Sequence, residues 1–574
     1  MKDSEKNRCT LEEITLNHTN RQYVVLPEII FQTDDIVLVG AGSFSCVRAL
    51  YKTAVKQRAL GRFLYRVITP EQYAMGQAEE IIRDLIDETL KRTNAGGIIY
   101  YASCMDVVSR IDFQKIKKKL CNPDQIPVEV LYRGPMVRRY LDSNKKLTEL
   151  LMQIPVSKES LRNRGCDLPP VMPDFEAVCG VLQSWKVYRF LISSGGCDGC
   201  ISGTGERDQE YRVTKSRVDD LQIAVGCEPF IENGIIWDYQ NKGCKDLVCI
   251  AGAGLPKLIG FDYGRIEKRM KKEKIDCIMT KTDGFHFAQQ GIGDMYLSLF
   301  QKFEHIESKK NCAIGILGAH CFASLQKDEA EESISNIKKL GYEVIWPEKN
   351  ELEQIANLKN AVCNWVTASE GIPIAKYLYR KYNVPYMIGI PSGKKMLSEW
   401  QKYFKETRWE EVQIAKSRQS KKKKVLLIGD PAVTWGIARY LTETDSVEII
   451  FAVYTQLASS RRWYTETLQG TEEHWLGGEN PVKKIKYFRD REELKFLIDK
   501  ADIIFGENLL RMAFMEETIC RKKWTDLPAP ILNCGIRTDK YEYHLFGTKG
   551  ARWIQAGTEK KLVTDPTRSN AGDT

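Results

Sequence analysis

No segment of the chain reaches the roughly 18 consecutive apolar residues of a membrane-spanning helix. Its first residues lack the basic, apolar and small-residue order of a signal peptide. There is no G-x-x-x-x-G-K-[ST] phosphate loop: PSGKK, Pro391 to Lys395, lacks the first glycine and the hydroxyl. VGAGSFS, Val39 to Ser45, begins like a dinucleotide loop, but the third glycine is missing and Cys46 follows. These absences predict a cytoplasmic chain that crosses no membrane, binds no nucleotide and hydrolyses no ATP. There is also no basic stripe with aromatic or motif support, so no nucleic-acid partner is expected. The net charge is only +9 on 574 residues and is partly local, in the run Lys421 to Lys424, which reads as a solvated linker.

Hydrophobic residues make up 43% of the chain and charged residues 28%, ordinary values for a globular protein of several domains. Cysteine is plentiful: there are 17, an odd number that argues against a complete disulfide framework. Reduced thiols leave two readings, small buried hydrophobes or metal ligands, and their positions within motifs must separate them.

Short apolar runs alternate with amphipathic stretches. Asp35 to Val39, Gly97 to Tyr101, Leu247 to Ala251, Ala313 to Leu317, Glu343 to Trp346, Val425 to Ile428, Val447 to Phe451 and Asp502 to Phe505 read as strands. Between the first two, Ile81, Ile82, Leu85, Ile86 and Leu90 recur at helical spacing. The alternation predicts an α/β chain of several doubly wound, parallel-sheet (Rossmann-like) domains. Four blocks are expected, at 1–140, 176–305, 308–405 and 424–556. A proline-bearing linker would span 141–175, a charged helical connector about 402–423, and a flexible tail 557–574.

The first two blocks repeat one another. Each has a strand and a Gly/Ser turn ending in cysteine, VGAGSFSC at Cys46 and SSGGCDGC at Cys200. Each continues to a glycine, Gly76 and Gly226, and then to a strand with a small-residue turn, at Cys104 and Gly254. Each closes on an apolar strand and a Gly turn, PVEVLYRGP and CIMTKTDGF. The spacings agree: 58 residues from Cys46 to Cys104, and 54 from Cys200 to Gly254.

This order of motifs resembles the nitrogenase component 1 family, which includes nitrogenase subunits, cofactor-assembly homologues and dark-operative tetrapyrrole reductases. LPKLIGFDY, KTDGF, NCAIGILGAH, YNVPYMIGIP, KKKKVLLIGDPAVTWGIARYL, ADIIFGENLL and LPAPILNCGI carry the likeness through three domains, with residues 35–135 as an additional copy of the first. The resemblance implies an iron–sulfur oxidoreductase component that accepts electrons from a separate ATP-dependent [4Fe–4S] reductase iron protein. It also implies an oligomer, with a homologous component-1 subunit as a possible partner. It implies a [4Fe–4S] cluster between two first-type domains, for which Cys46, Cys104, Cys179 and Cys200 supply four thiolates, with Cys197 as competitor. The nitrogenase cofactor ligands have no counterpart here: Thr367 stands at the Cys position, and Asn533 or Cys534 at the His position. Dinitrogen reduction is therefore not expected. An organic substrate in an interdomain pocket is, with Thr367, Ser369, Asn533 and Cys534 as wall candidates and His286 and His320 as candidate proton donors. Both histidines also read as hydrogen-bonded packing residues. A cluster or cofactor assembly scaffold, and a non-catalytic subunit, are the alternatives.

Overall fold

The computed structural model describes residues 25–32, 35–132, 147, 149, 150, 152, 167–194, 197, 214–216, 218–241, 246–307, 312–407, 422–445, 447–514, 522–529, 532 and 543–559. Four sheets organise them. The first has strands β1 (Ile36–Gly42), β2 (Phe63–Val67), β3 (Gly97–Ala102) and β4 (Val128–Tyr132) in the order β2-β1-β3-β4. The second repeats that topology with β5 (Tyr188–Ile192), β6 (Thr214–Lys215), β7 (Val248–Gly252) and β8 (Cys277–Met279), ordered β6-β5-β7-β8. The third has β9 (Ala313–Leu317), β10 (Glu343–Ile345), β11 (Cys363–Val366) and β12 (Tyr386–Ile388), ordered β10-β9-β11-β12. The fourth has β13 (Lys423–Ile428), β14 (Val447–Tyr454), β15 (Ile485–Phe488), β16 (Ile503–Gly506) and β17 (Lys523–Asp526), ordered β15-β14-β13-β16-β17. Every strand pair is parallel. Strands buried on both faces read as near-continuous apolar runs, as IVLVGAG and AIGIL do.

The repeat extends to small details. The segments before Gly76 and Gly226 are short helices, α1 (Pro70–Ala74) and α2 (Asp220–Val225), each opened by a capping box, Thr69 with Gln72 and Asp219 with Gln222. Gly76 and Gly226 stop them at φ 70° and 90°. The backbone N–H of Asp112 donates to Glu79 and that of Asp262 to Glu228, the same brace in both copies.

The proline-bearing stretch between the two copies packs into the protein at its C-terminal end. Leu168, Val171 and Met172 are buried, and the Tyr65 hydroxyl donates to the Leu168 carbonyl at 2.6 Å. It leads into α3 (Asp174–Val181), whose Glu176 is ion-paired with Arg48 and Lys52 of the first copy. One continuous hydrophobic cluster then runs through the chain from Ile30 to Ile554.

Candidate functional site

Two places gather chemically active side chains. The first lies where the two copies meet. Gly40 of β1 pairs with Tyr101, three residues before Cys104, and Leu191 of β5 pairs with Ala251, three residues before Gly254. Register thus equates Gly40 with Leu191; counting on along the sequence aligns Ser43 with Ser194, Cys104 with Gly254, and Cys46 with Cys197. The contacts obey this equivalence. Cys104 Sγ lies 3.2 Å from Ser194 Oγ, and a Cβ built on Gly254 would lie 3.2 Å from Ser43. Cys104 and Val108 pack into the apolar cluster of the second sheet, while Leu258 and Phe285 pack into that of the first. Reciprocal contacts of this kind define an approximate two-fold relation inside one chain.

Around it lies a nest of buried polar groups. Cys46 is in the first turn of the helix Phe44–Lys56, with its Sγ 3.4 Å from Ser43 Oγ. Cys104 opens the helix Cys104–Val108, capped by Ser103 and Asp106. Burial, and then the neighbouring Cys46, push the Cys104 thiol up to about 12. Asp106 accepts from Tyr73 Oη at 2.9 Å, Tyr100 Oη at 3.1 Å and Ser103 N at 2.8 Å. Cys179 and Cys197 share a separate small cluster with Phe175, Leu191, Ala251 and Ala253. Cys46 thus lies within electrostatic range of Cys104, and Cys197 shares a cluster with Cys179, but among the described residues no three of these thiols gather within ligand distance of one another, and Cys200 lies outside the described residues. All described cysteines are thiols. Of the others, Cys227, Cys249 and Cys363 are buried and Cys277 is half-buried, whereas Cys312 and Cys321 stand at the surface.

His286 belongs to the turn that follows β8. Asp174, first residue of α3, accepts from the backbone N–H groups of Asp283 and Gly284, both at 2.8 Å. His286 Nδ1 lies 2.9 Å from Asp283 Oδ1. Ligand atoms of Asp174, Asp283 and His286 lie within 4.8 Å of one another, a set that could hold a metal ion. Burial, and then the charge of Asp283, push Asp174 up to about 8, and its bond to Asp283 raises His286. The turn backs onto the two-copy contact: a Cβ on Gly284 would lie 2.7 Å from the Gly254 nitrogen.

The second place is the crevice between the third and fourth sheets. In a doubly wound sheet ligands bind beyond the carboxyl ends of strands where strand order reverses. Here the ends of β11 and β13 face each other. Glu370 and Ala368 follow β11, Gly429 and Asp430 follow β13, and Pro528 and Ala529 follow β17; all line one cleft with Gln289, Phe322 and Val433. It is narrow, with a cavity volume of about 30 Å³. Asp430 caps the helix Pro431–Thr444 and also accepts from the Ser369 N–H at 3.2 Å. His320 is buried behind Glu370, with Nε2 2.7 Å from Glu370 Oε1. Its Nδ1 receives the Phe322 N–H at 3.1 Å. Thr367 is tied to the Leu317 carbonyl by its hydroxyl at 3.1 Å, so it packs rather than lines. Asn533 and Cys534 lie outside the described residues. Glu370 and Asp430 escaped sequence reading; the available signal was a carboxylate directly after a buried strand, in VTASEG and LLIGDP.

Four parallel sheets with helices between their strands define a doubly wound α/β protein, with its thiol-bearing contact and its carboxylate-lined cleft at inter-sheet boundaries. A model of the family described as nitrogenase component 1 type oxidoreductase matches residues 186–517, and the chain belongs to that family. The first sheet precedes the matched range. Among solved structures, "Nitrogenase Cp1 at pH 6.5" superposes with a TM-score of 0.50 at 15% identity, covering 70% of this chain and 94% of that one. "Nitrogenase Cp1 at pH 5" gives 0.46 and 13%, covering 68% and 88%. At such identities the likeness is one of fold. No curated protein matches.

Proposed function

We propose that the chain is the substrate-reducing component of a two-component reductase, receiving electrons from a separate ATP-dependent [4Fe–4S] iron protein. The observation that supports this reading is the intrachain two-fold contact, in which Cys104 Sγ lies 3.2 Å from Ser194 Oγ and Gly254 packs on Ser43. The donor chemistry suits an iron–sulfur group. Soft thiolates come from separate strand-end turns, and Gly254 lets the second copy's turn approach Ser43 so closely that a Cβ would lie 3.2 Å from it. Cys46 and Cys104 would hold the group from the first copy, and Cys197, the register partner of Cys46, from the second, with Cys179 or Cys200 as the remaining thiolate. When bound, such a group supplies one-electron transfer. The protein's own part is to exclude water: Cys104, Ser43 and Ser194 are buried at the contact. The substrate would be organic, in keeping with the missing nitrogenase-cofactor ligands, and the carboxylate-lined crevice, about 30 Å³ here, would have to widen to admit it.

Iron and acid-labile sulfide content, with EPR, on anaerobically prepared protein tests this. About four iron per chain, lost in both Cys46→Ala and Cys197→Ala, is the expected result. Wild type that takes up no iron on anaerobic reconstitution overturns it. Iron retained in Cys197→Ala but lost in Cys200→Ala would transfer the ligand role to Cys200.

A further inference from the structure

The two copies present different outer surfaces on the same helix. Their shared brace equates Glu79 with Glu228. Counting on aligns the helix Ala78–Arg92 with the helix Glu228–Asn241, and the buried positions agree: Ile82 with Ile231, Ile86 with Ile235, Thr89 with Asp238. The outward positions do not. Where the first copy carries Glu80, Asp84, Glu88 and Lys91, the second carries Pro229, Asn233, Trp237 and Gln240. Every charge on that face has gone, in a chain that is 28% charged. The helix keeps three acidic residues, each turned toward its own domain. Glu228 accepts from the Asp262 N–H, Glu232 pairs with Arg265, and Asp238 accepts from the Tyr188 hydroxyl. In the first copy the outer face is engaged within the chain, Glu88 with Arg92 at 2.8 Å and Arg92 with Asp167 at 3.1 Å. In the second, Trp237 is 63% and Phe230 51% exposed. Between them, a Cβ on Gly234 would meet nothing within 4 Å among the described residues. Glycine weakens a helix interior, and no packing inside the chain explains this one. Aromatic enrichment with loss of charge is the composition of the centre of a protein–protein interface.

We propose that the helix Glu228–Asn241 pairs with its own counterpart in a second copy of the chain, antiparallel and across a two-fold axis. The inference does not depend on the electron-transfer reading. Phe230, Asn233, Gly234 and Trp237 share one helix face and are symmetrically placed about the midpoint between Asn233 and Gly234. A two-fold contact demands such self-complementarity, because residue i meets j wherever j meets i. Antiparallel pairing about that midpoint sets Phe230 against Trp237 of the second copy, twice. It crosses the helices at Gly234, whose missing side chain permits an axis separation of about 8–10 Å. Charge agrees with this occupant: the chain carries a net +9, and two copies meeting on this face bring no like charges together. Area agrees as well. Phe230 and Trp237 would each bury on the order of 100–150 Å². With the polar residues of the same face, two chains would bury about 1,000 Å², the lower end of a specific interface. The dimer is therefore one that dissociates on dilution.

Sedimentation velocity of the full chain, from submicromolar to tens of micromolar concentration, reads the association. Wild type should pass from monomer to dimer across this range. Trp237→Glu, which matches the first copy's residue, and Phe230→Lys should each weaken the dimer at least about tenfold, as loss of a central aromatic does. Combined, the two substitutions set opposite charges against each other at both ends of the crossing, and the double variant should associate more tightly than either single one. Within one helix the two positions are about 10.5 Å apart and cannot pair with each other. Both side chains are exposed, so the variants should fold as wild type does, which circular dichroism checks. A wild type that stays monomeric at the highest concentration, or a single variant that dimerises as wild type does, overturns the inference. A double variant no tighter than the single ones overturns the antiparallel pairing. Iron content bears on neither result, so failure here is distinct from failure of the electron-transfer reading.

Discussion

Glu507, at the end of β16, is buried, and its carboxylate receives the Ala529 N–H at 2.6 Å. Burial raises it to about 7, against about 4.3 for a free glutamate. Between those values the folded chain holds a proton that the unfolded chain has released, so stability falls as pH rises through this window. Melting curves of the metal-free protein should therefore shift down between about pH 5 and about pH 7.5, and Glu507→Gln should flatten the slope. An unchanged slope would remove Glu507 from the balance. The residues that matter most in this crevice were the least legible beforehand. His320 stood out because histidine is a familiar proton carrier; in the structure it is buried, with Nδ1 receiving the Phe322 N–H and Nε2 beside Glu370. Asp430 went unread in LLIGDP. It accepts from the Ser369 N–H, about sixty residues earlier in the chain, and no local pattern announces such a contact.

At the scale of elements the sequence was informative. Ala313–Leu317 forms the strand its apolar run predicts, and the helical spacing from Ile81 to Leu90 becomes the helix Ala78–Arg92. Periodicity senses burial face by face and so finds strands and helices. It does not sense register between repeats. By motif ending Cys200 matches Cys46; counting on from the paired strands gives Cys197, and Cys200 lies outside the described residues. Close approaches between elements are equally silent in sequence. A Cβ on Gly252 would fall 1.8 Å from Tyr263 Oη and 2.9 Å from the Thr282 carbonyl. Gly252→Ala should destabilise the second sheet by roughly 1–3 kcal/mol, read by denaturant unfolding. Tyr263→Phe in the same chain should recover part of that loss, because the closest clash is with the hydroxyl. Equal losses in single and double variants would place the strain elsewhere.

Over the whole molecule the two copies are fastened by a buried charge cluster. Arg48 and Glu176 have fully buried side chains 3.2 Å apart, Lys52 adds a 2.8 Å contact, and Arg48 donates to the Pro170 carbonyl at 2.9 Å. Removing one partner from a buried pair leaves a charge without compensation, so Arg48→Met should cost about 3–5 kcal/mol. Hydrogen exchange in the helix Phe44–Lys56 should accelerate before exchange in the fourth sheet does. Uniform exchange across the molecule would mean that the cluster does not fasten the first copy specifically.

The joined copies also change what a shared site must guard against. Two halves on separate chains have to find each other by diffusion, and either can pair with a twin of itself. Tethered halves meet at an effective concentration that short flexible linkers raise to the millimolar range, and always in a one-to-one ratio. Neither half then needs to remain competent for self-pairing. That freedom lets the pair become unequal, as where one copy keeps Cys104 and the other carries Gly254. A division of labour that would be hazardous between interchangeable subunits is safe when synthesis itself delivers the matching half.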